Sequence, residues 1–320
     1  MPSRTLPSVV LAALLLPATG GPAVAQAVDW TAADRAMGRT GQAAGGGVHK
    51  YSMPRTDLAV TVRGVRVRPA VALGSWLAMK PRPDGGVVAM GDLVLTPDEV
   101  GPVMSRLQEG GVTQTALHNH LLFESPRVMF MHIHGEGSPE AIARAVHAAL
   151  ALTGTPGFGA GQAAGVPAAD PAAEARGEDG GAGLDTAGIE RALGRPGSWG
   201  GGVFKVAAPR DGTIHSSGIE VPPSMGTAIA LGFQPVGKGR AATTGDFVLT
   251  ASEVNPVLRT LREHGILVTA LHNHMLFDDP HLFFVHFWGV GDAVELARGL
   301  RAALQHVDAA GPTDGPASGR

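Results

Sequence analysis

The feature that most constrains this sequence is an internal repeat that spans most of its 320 residues. The matching runs, offset by 154 positions, are GDLVLT at 91–96 with GDFVLT at 245–250, and TALHNH at 115–120 with TALHNH at 269–274. Upstream, GGVHK at 46–50 matches GGVFK at 201–205 with one residue of slippage. Each copy is about 125 residues long, the size of an ordinary domain. The sequence therefore predicts two homologous lobes related by a pseudo-twofold axis.

The two lobes are expected at 28–154 and 184–308. Residues 155–183 are rich in Gly, Ala and Pro and have no apolar periodicity, which predicts a flexible linker. Residues 309–320 have the same character, so we expect a disordered tail.

The N-terminal segment 1–25 has the pattern of an export signal. Arg4 precedes an apolar run at 9–16, which is too short to span a bilayer as a helix, and Ala23-Val24-Ala25 matches a small-x-small cleavage site. We expect cleavage near Ala25, a periplasmic or secreted protein, and no transmembrane segment after cleavage; an uncleaved anchor is the alternative. The chain has no cysteine, so any metal ligands must be histidines or oxygen donors.

Local signals predict an α+β fold in each lobe. The segments 60–67 and 87–95 are rich in β-branched residues and are typical of strands. Thr96-Pro97-Asp98-Glu99 forms a capping box that begins an amphipathic helix, and Thr250 with Glu253 repeats it. A strand pair and a closing helix follow in each copy. We therefore expect a mainly antiparallel sheet with helices packed on one face of each lobe.

Histidines recur at positions that suit a metal site. The predicted metal ligands are His118, His120, His132, His134, His272, His274 and His286. Residues i and i+2 of a strand point to the same face. If the two strands pair around Pro126, His118 should lie opposite His134, and His120 opposite His132. Neutral imidazoles would then offer lone pairs to one cation, with Zn as the expected metal and Cu as the alternative.

Lobe 1 has four of these histidines, and lobe 2 keeps three of them, because Trp288 stands where lobe 1 has His134. Three His ligands leave a position open for water, as in catalytic zinc sites. Glu124 and Asp278 lie beside the His-Asn-His runs and are the predicted catalytic carboxylates, although a role in the loop explains them equally well. A hydrogen-bonded His cluster without metal is the structural alternative. The sequence leaves open whether the lobes form two sites or share one.

Three motifs together resemble the LppY/LpqO-type family of exported bacterial proteins. They are the run ALHNHxLF[ED]xP, the later FxH, and the GDxVLT entry into a helix. The resemblance covers both lobes and implies export, but it implies no settled activity. This chain lacks the lipidated cysteine of the lipoprotein members.

The composition of the chain argues against one class of binding partner. The net charge is −3 with His neutral, and no Lys/Arg-rich run is present, which argues against a nucleic-acid partner. Three functions remain open. The first is a metal-dependent hydrolase or lyase acting on a small or polymeric envelope substrate. The second is a binding protein for Zn or Cu, and the third is a structural module of the cell envelope.

Overall fold

The computed structural model describes residues 28–83, 85–159 and 183–309. The predicted signal peptide, most of the predicted linker and all but the first residue of the predicted tail lie outside the described residues. Within the described ranges, no helix has both the length and the apolar character needed to cross a membrane.

Both lobes contain helices and strands in the same order along the chain, except that lobe 2 has a short 3₁₀ helix, Pro223–Met225, where lobe 1 has its second α-helix. The helices are α1 (Thr31–Met37), α2 (Pro69–Ala72), α3 (Pro97–Glu109), α4 (Pro139–Leu150), α5 (Thr186–Leu193), α6 (Ala251–Glu263) and α7 (Ala293–Leu304). The strands of lobe 1 are β1 (Gln42–Ala44), β2 (Val48–Pro54), β3 (Thr61–Val62), β4 (Val65–Arg66), β5 (Gly74–Pro81), β6 (Val87–Leu95), β7 (Thr113–His118), β8 (Glu124–Ser125) and β9 (Met129–Gly137). Those of lobe 2 are β10 (Gly197–Gly200), β11 (Val203–Pro209), β12 (His215–Ser216), β13 (Ile219–Glu220), β14 (Ala228–Gly237), β15 (Arg240–Leu249), β16 (Leu267–His272), β17 (Asp278–Asp279) and β18 (Phe283–Asp292).

Each lobe has one large antiparallel sheet, which confirms the predicted α+β class. The strand order is β1-β2-β5-β6-β9-β7 in lobe 1 and β10-β11-β14-β15-β18-β16 in lobe 2. A small three-stranded sheet accompanies each, in the orders β4-β3-β8 and β13-β12-β17. The segment 60–67, predicted as one strand, is instead the tight hairpin of β3 and β4. The chain reverses there because Arg63 and Gly64 adopt positive φ angles of 48° and 85°.

The central strand β6 shows how the lobes pack, because all nine of its residues are buried. Ala89 and Leu93 pack with the helices of lobe 1. Val88 and Met90, on the other face, join the core of lobe 2. The helices therefore cover one face of the sheet, as predicted, and the second lobe covers much of the other. Helix α3 begins at the predicted capping box, in which both reciprocal hydrogen bonds are present.

Lobe 1 extends beyond its predicted boundary. Thr155 and Phe158 belong to the predicted linker, yet they are 0% and 4% exposed. Phe158 packs in the lobe 1 core, and the guanidinium of Arg39 lies 4.7 Å from its ring centroid. The linker expectation was wrong for 155–159, because a single aromatic residue in Gly-rich surroundings is enough to anchor the segment.

The lobes are also joined by polar contacts. The side chain of Gln234 accepts from the Arg68 backbone N–H at 2.8 Å and donates to the Arg66 carbonyl at 2.7 Å. At the middle of the interface, Thr115 Oγ1 donates to the His274 carbonyl, and Thr269 Oγ1 donates to the His120 carbonyl. This exchanged pair of contacts is what a pseudo-twofold relation between the lobes produces.

Candidate metal centre

Strands β7 and β9 pair antiparallel, but their register differs from the expectation. His118 lies opposite Phe130, and His132 lies opposite Ala116. The predicted pairings of His118 with His134 and of His120 with His132 are therefore wrong. Two features shift the register. The strand pairing is irregular between Gln114 and Ala116, and the connecting loop contains β8, which pairs with β3 rather than closing a simple hairpin.

Six of the seven predicted histidines nevertheless converge, and they do so between the lobes rather than once in each lobe. The close ring contacts are His118 with His272 at 3.4 Å, His120 with His286 at 3.7 Å, and His132 with His274 at 3.7 Å between centroids. Each of these contacts takes one ring from each lobe. The structure thus brings the two sets of histidines into one shared cluster.

Several subsets of this cluster have the spacing of metal ligands. The groups are His118, His120 and His286; His118, His132 and His272; and Asp92, His120 and His132. Within each group the ligand atoms lie within 4.8 Å of one another. Two nitrogens bound to one tetrahedral zinc would lie about 3.4 Å apart, given bonds of about 2.0–2.1 Å. Small side-chain movements would therefore suffice to close any of these groups around an ion.

Backbone carbonyls orient the rings. The Nδ1 atoms of His118 and His272 donate to the carbonyls of Asn119 and Asn273 at 3.0 and 2.9 Å, and His286 Nδ1 donates to Gly245 at 3.2 Å. A carbonyl can only accept, so each of these rings carries its proton on Nδ1 and presents the Nε2 lone pair. Such second contacts fix the tautomer of metal-binding histidines.

The Nε2 atoms of the cluster are buried and have no hydrogen-bond partner. This holds for His118, His120, His132, His272, His274 and His286. A buried polar atom without a partner costs roughly 1–3 kcal/mol. Atoms of this kind fit a cation, since a cation would satisfy the lone pairs of the rings that bind it.

Two carboxylates complete the cluster, and they were not among the predicted ligands. Asp92 pairs with His132 across β6 and β9, and Asp246 pairs with His286 across β15 and β18. Asp92 Oδ2 lies 3.7 Å from His120 Nε2, and Asp246 Oδ1 lies 2.7 Å from His286 Nδ1. The latter contact is close, but the His286 N–H is aligned with the Gly245 carbonyl instead. The signal for both was a lone acid inside an apolar strand, repeated in each copy.

The residue before each of these acids must be glycine for steric reasons. A Cβ on Gly245 would lie 1.8 Å from the Ala230 carbonyl oxygen, and one on Gly91 would lie 2.7 Å from that of Trp76. Only glycine permits this close approach of neighbouring strands.

Burial makes the cluster electrostatically unusual. Burial, with a smaller contribution from His286, lowers the pKa of His118 to about 4 and that of His272 to about 2. The pKa values of His120, His132 and His274 also fall well below their ordinary range, chiefly through burial. Burial and the neighbouring Asp246 raise the pKa of Asp92 well above its usual range. The five imidazoles are therefore neutral at pH 7, which is the form that binds metal.

The asparagines of the two His-Asn-His runs form hydrogen bonds both within their own loops and between the lobes. Asn119 Nδ2 donates to its own loop at the Leu121 carbonyl and across the interface to the Thr269 carbonyl, at 2.9 and 3.0 Å. Asn273 repeats both bonds, to Met275 and to Thr115, each at 3.0 Å.

A groove of about 600 Å³ leads to the cluster from one side. Asp92, His120 and His286 line it, and so do the two lysines Lys50 and Lys205, one from each lobe. Lys50 Nζ donates to the Ser224 carbonyl at 2.9 Å, and burial lowers its pKa to about 8. A ligand in this groove could therefore contact the cluster and a cationic side chain at once.

The family described as Domain of Unknown Function (DUF1259) matches residues 31–152 and 187–306. The chain belongs to this family. The two matches confirm the tandem repeat and coincide with the lobes. No curated protein matches the sequence. Among solved structures, the chain is similar to a trimeric bacterial microcompartment shell protein, PduB, with 9% identity, a TM-score of 0.22, and coverage of 86% of this chain and 98% of that one. A likeness this distant carries no argument.

The remaining predicted site residues of this DUF1259 protein lie apart from the six converging rings. His134 Nε2 contacts Glu136 Oε1 at 3.1 Å and Ser217 Oγ at 3.3 Å, and it belongs to none of the ligand groups. Asp278 contacts His281 Nδ1 at 2.9 Å and accepts from the Leu282 N–H at 2.7 Å.

Glu124, the counterpart of Asp278, is a partly buried residue of β8. Burial raises its pKa, while backbone amides and Arg127 act in the opposite direction. Neither carboxylate belongs to the three ligand groups, and neither lines the groove beside the cluster.

Proposed function

We propose that this DUF1259 protein binds a zinc-type divalent cation at one centre shared by its two lobes, and that it acts there as a metal-dependent hydrolase or lyase. One observation carries the proposal: six buried Nε2 atoms without partners converge between the lobes. The resemblance to the LppY/LpqO-type family and the N-terminal export pattern support a periplasmic or secreted location.

The donor set fits such an ion. His118 and His120 of lobe 1 and His286 of lobe 2 would supply three nitrogens, with Asp92 or Asp246 as an oxygen donor nearby. When bound, a divalent cation polarises a substrate oxygen and lowers the pKa of water. The chain itself fixes the rings through backbone carbonyls and excludes water from much of the cluster by burial.

A proton-transfer role suits Asp92 best. Burial raises its pKa and so favours the protonated carboxyl, and its Oδ2 lies 3.7 Å from His120 Nε2. The groove of about 600 Å³ gives a small substrate, or one end of a polymer, access to this carboxylate. The catalytic roles of Glu124 and Asp278 stay predictions. Neither side chain lines that groove.

A second candidate is a non-catalytic binding protein for Zn or Cu. The number of imidazoles favours it, since six rings exceed the four ligands that a single zinc takes. Tight burial of most rings also suits retention of an ion more than rapid exchange of substrate.

Elemental analysis of the tag-free protein, purified without chelators, tests the shared centre. We expect bound metal in the full chain and its loss in the double variant His118→Ala/His272→Ala. His306→Ala, which changes an exposed residue outside the cluster, is the matched control and should keep the metal. A chain that binds neither Zn²⁺ nor Cu²⁺, with no rise in melting temperature on adding either, contradicts the proposal.

Activity separates the two candidates once metal is bound. Turnover by the loaded protein on ester, phosphate, glycan or peptide panels that disappears in Asp92→Asn favours the enzyme. Nanomolar or tighter metal affinity with no turnover on any panel favours the binding protein.

A further inference from the structure

The pseudo-twofold symmetry of the centre is broken at one position on each sheet. His134 pairs with Met90 on one side and with Thr113 on the other. Trp288 occupies the same place in lobe 2, where it pairs with Thr244 and Leu267. The two residues therefore stand at equivalent points, each two residues beyond a cluster histidine, His132 or His286, and on the same face of its strand.

On the lobe 2 sheet, the larger side chain fills its surroundings. Trp288 is 4% exposed and packs in an apolar cluster that includes Leu121, Phe130 and Val62 of lobe 1 and Ala242 of its own sheet. The indole thereby closes that flank of the centre. On the other flank the equivalent residue, His134, is smaller, and its ring is held to Glu136 and Ser217.

A cavity of about 60 Å³ lies on the His134 flank. Its walls are largely apolar, with Trp76 and Met90 from lobe 1 and Met225 and Met275 from lobe 2. His132 and His274 also line it, and both have an Nε2 atom without a partner. The cavity thus joins an apolar surface directly to two rings of the cluster.

The mouth of the cavity is apolar as well. Leu276 and Phe277 line it and are 53% and 82% exposed. Large apolar side chains with this exposure beside a cavity mark a surface for an apolar ligand group.

We propose that this cavity binds a small branched aliphatic group, of about the size of an isopropyl group, on an organic ligand whose polar head reaches the metal centre at His132 and His274. Of the two equivalent flanks, only the His134 flank accepts the apolar group, because Trp288 fills the matching place on the other. The groove beside Asp92 is a separate route by which a small ligand such as imidazole reaches the cluster. The proposal rests on the metal centre of the proposed function. It adds the class of ligand and the side from which it binds.

Two azole probes test it on the full-length chain loaded with Co²⁺, whose visible absorption reports ligand exchange. Imidazole supplies the polar head alone, and 4-isopropylimidazole adds one branched aliphatic group. Burial of that group should make 4-isopropylimidazole bind at least about tenfold more tightly than imidazole. The variant His134→Trp, which copies the lobe 2 residue, should abolish the preference and leave the dissociation constant of imidazole and the Co²⁺ stoichiometry unchanged.

A second variant covers the case in which His134→Trp does not fold. Thr113 lines the same cavity from an exposed position on the edge strand β7, so Thr113→Trp can fill it with little change to the core. Equal affinity for the two probes in the parent chain, binding of neither probe, or a preference that survives filling the cavity overturns the proposal. Failure to bind Co²⁺ at all, read separately from the absorption, overturns the metal centre and this inference together.

Discussion

The metal-free protein should lose stability unusually early on acidification, because its cluster holds imidazoles in their neutral form. The pKa of His118 falls from 6.5 to about 4, and that of His272 falls to about 2. The folded state therefore binds fewer protons than the unfolded state between pH 6.5 and these values, and stability decreases as the pH falls through that window.

The size of the effect follows from the shifts. A pH of 5 is about 1.5 units below the pKa of an imidazole in the unfolded chain. Each of these two histidines therefore lowers the free energy of unfolding by about 2 kcal/mol at pH 5 relative to pH 8. Together they cost about 4 kcal/mol, a large part of the 5–15 kcal/mol that stabilises an ordinary domain. The buried carboxyl of Asp92 acts in the opposite direction, because its raised pKa makes the folded state take up a proton first.

Urea denaturation in the presence of EDTA at pH 8, 6.5 and 5 measures this loss. The double variant His118→Gln/His272→Gln should flatten the dependence by about 4 kcal/mol between pH 8 and 5. His306→Gln changes an exposed histidine outside the cluster and should leave it unchanged. A parent chain with the same free energy of unfolding at pH 8 and pH 5 would refute the reasoning, since it would mean that the rings are not buried in their neutral form.

Three further outcomes are expected. His120→Ala should weaken metal binding at least about tenfold by calorimetric titration, because two candidate ligand groups share this ring, whereas His134→Ala should keep both affinity and stoichiometry. Asp92→Asn should stabilise the metal-free protein by about 1 kcal/mol at pH 7 in urea denaturation, since the charged form is disfavoured by burial, and a loss of stability there would contradict this assignment. Arg55→Met should cost about 3–5 kcal/mol, because the buried guanidinium bonds two carboxylates and the Val94 carbonyl, while the exposed Arg106→Met should cost less than about 1 kcal/mol.

The features that the sequence predicted correctly depend on short stretches of chain. The capping box at Thr96 and the strand 87–95 are encoded by neighbouring residues, and both are found as expected. The repeat itself fixed the number of lobes, and the alternation of strands and helices fixed their α+β class. These signals need no knowledge of how distant parts of the chain meet.

The errors concern contacts between distant residues. The register of β7 against β9 depends on an irregularity near Gln114 and on β8 pairing outside the hairpin, and neither has a clear signature in one sequence. The shared position of the histidines could not be predicted either. His118 and His272 meet because the two sheets face each other, and their separation along the chain gives no hint of a 3.4 Å contact.

The shared cluster also explains why the two copies remain together in one chain. A single lobe would expose the face that carries Asp92, Val88 and Met90, and it would hold only half of each close ring contact. Both ligand groups that contain only histidines draw on both lobes. When the two lobes are parts of one chain, a residue at the interface can be substituted in one lobe without its counterpart in the other. One flank can then be closed by Trp288 while the other keeps His134. A symmetric dimer of identical lobes could not make that distinction, because any substitution would appear on both flanks at once. Duplication within one chain is thus the condition that allows the two flanks of one buried centre to differ.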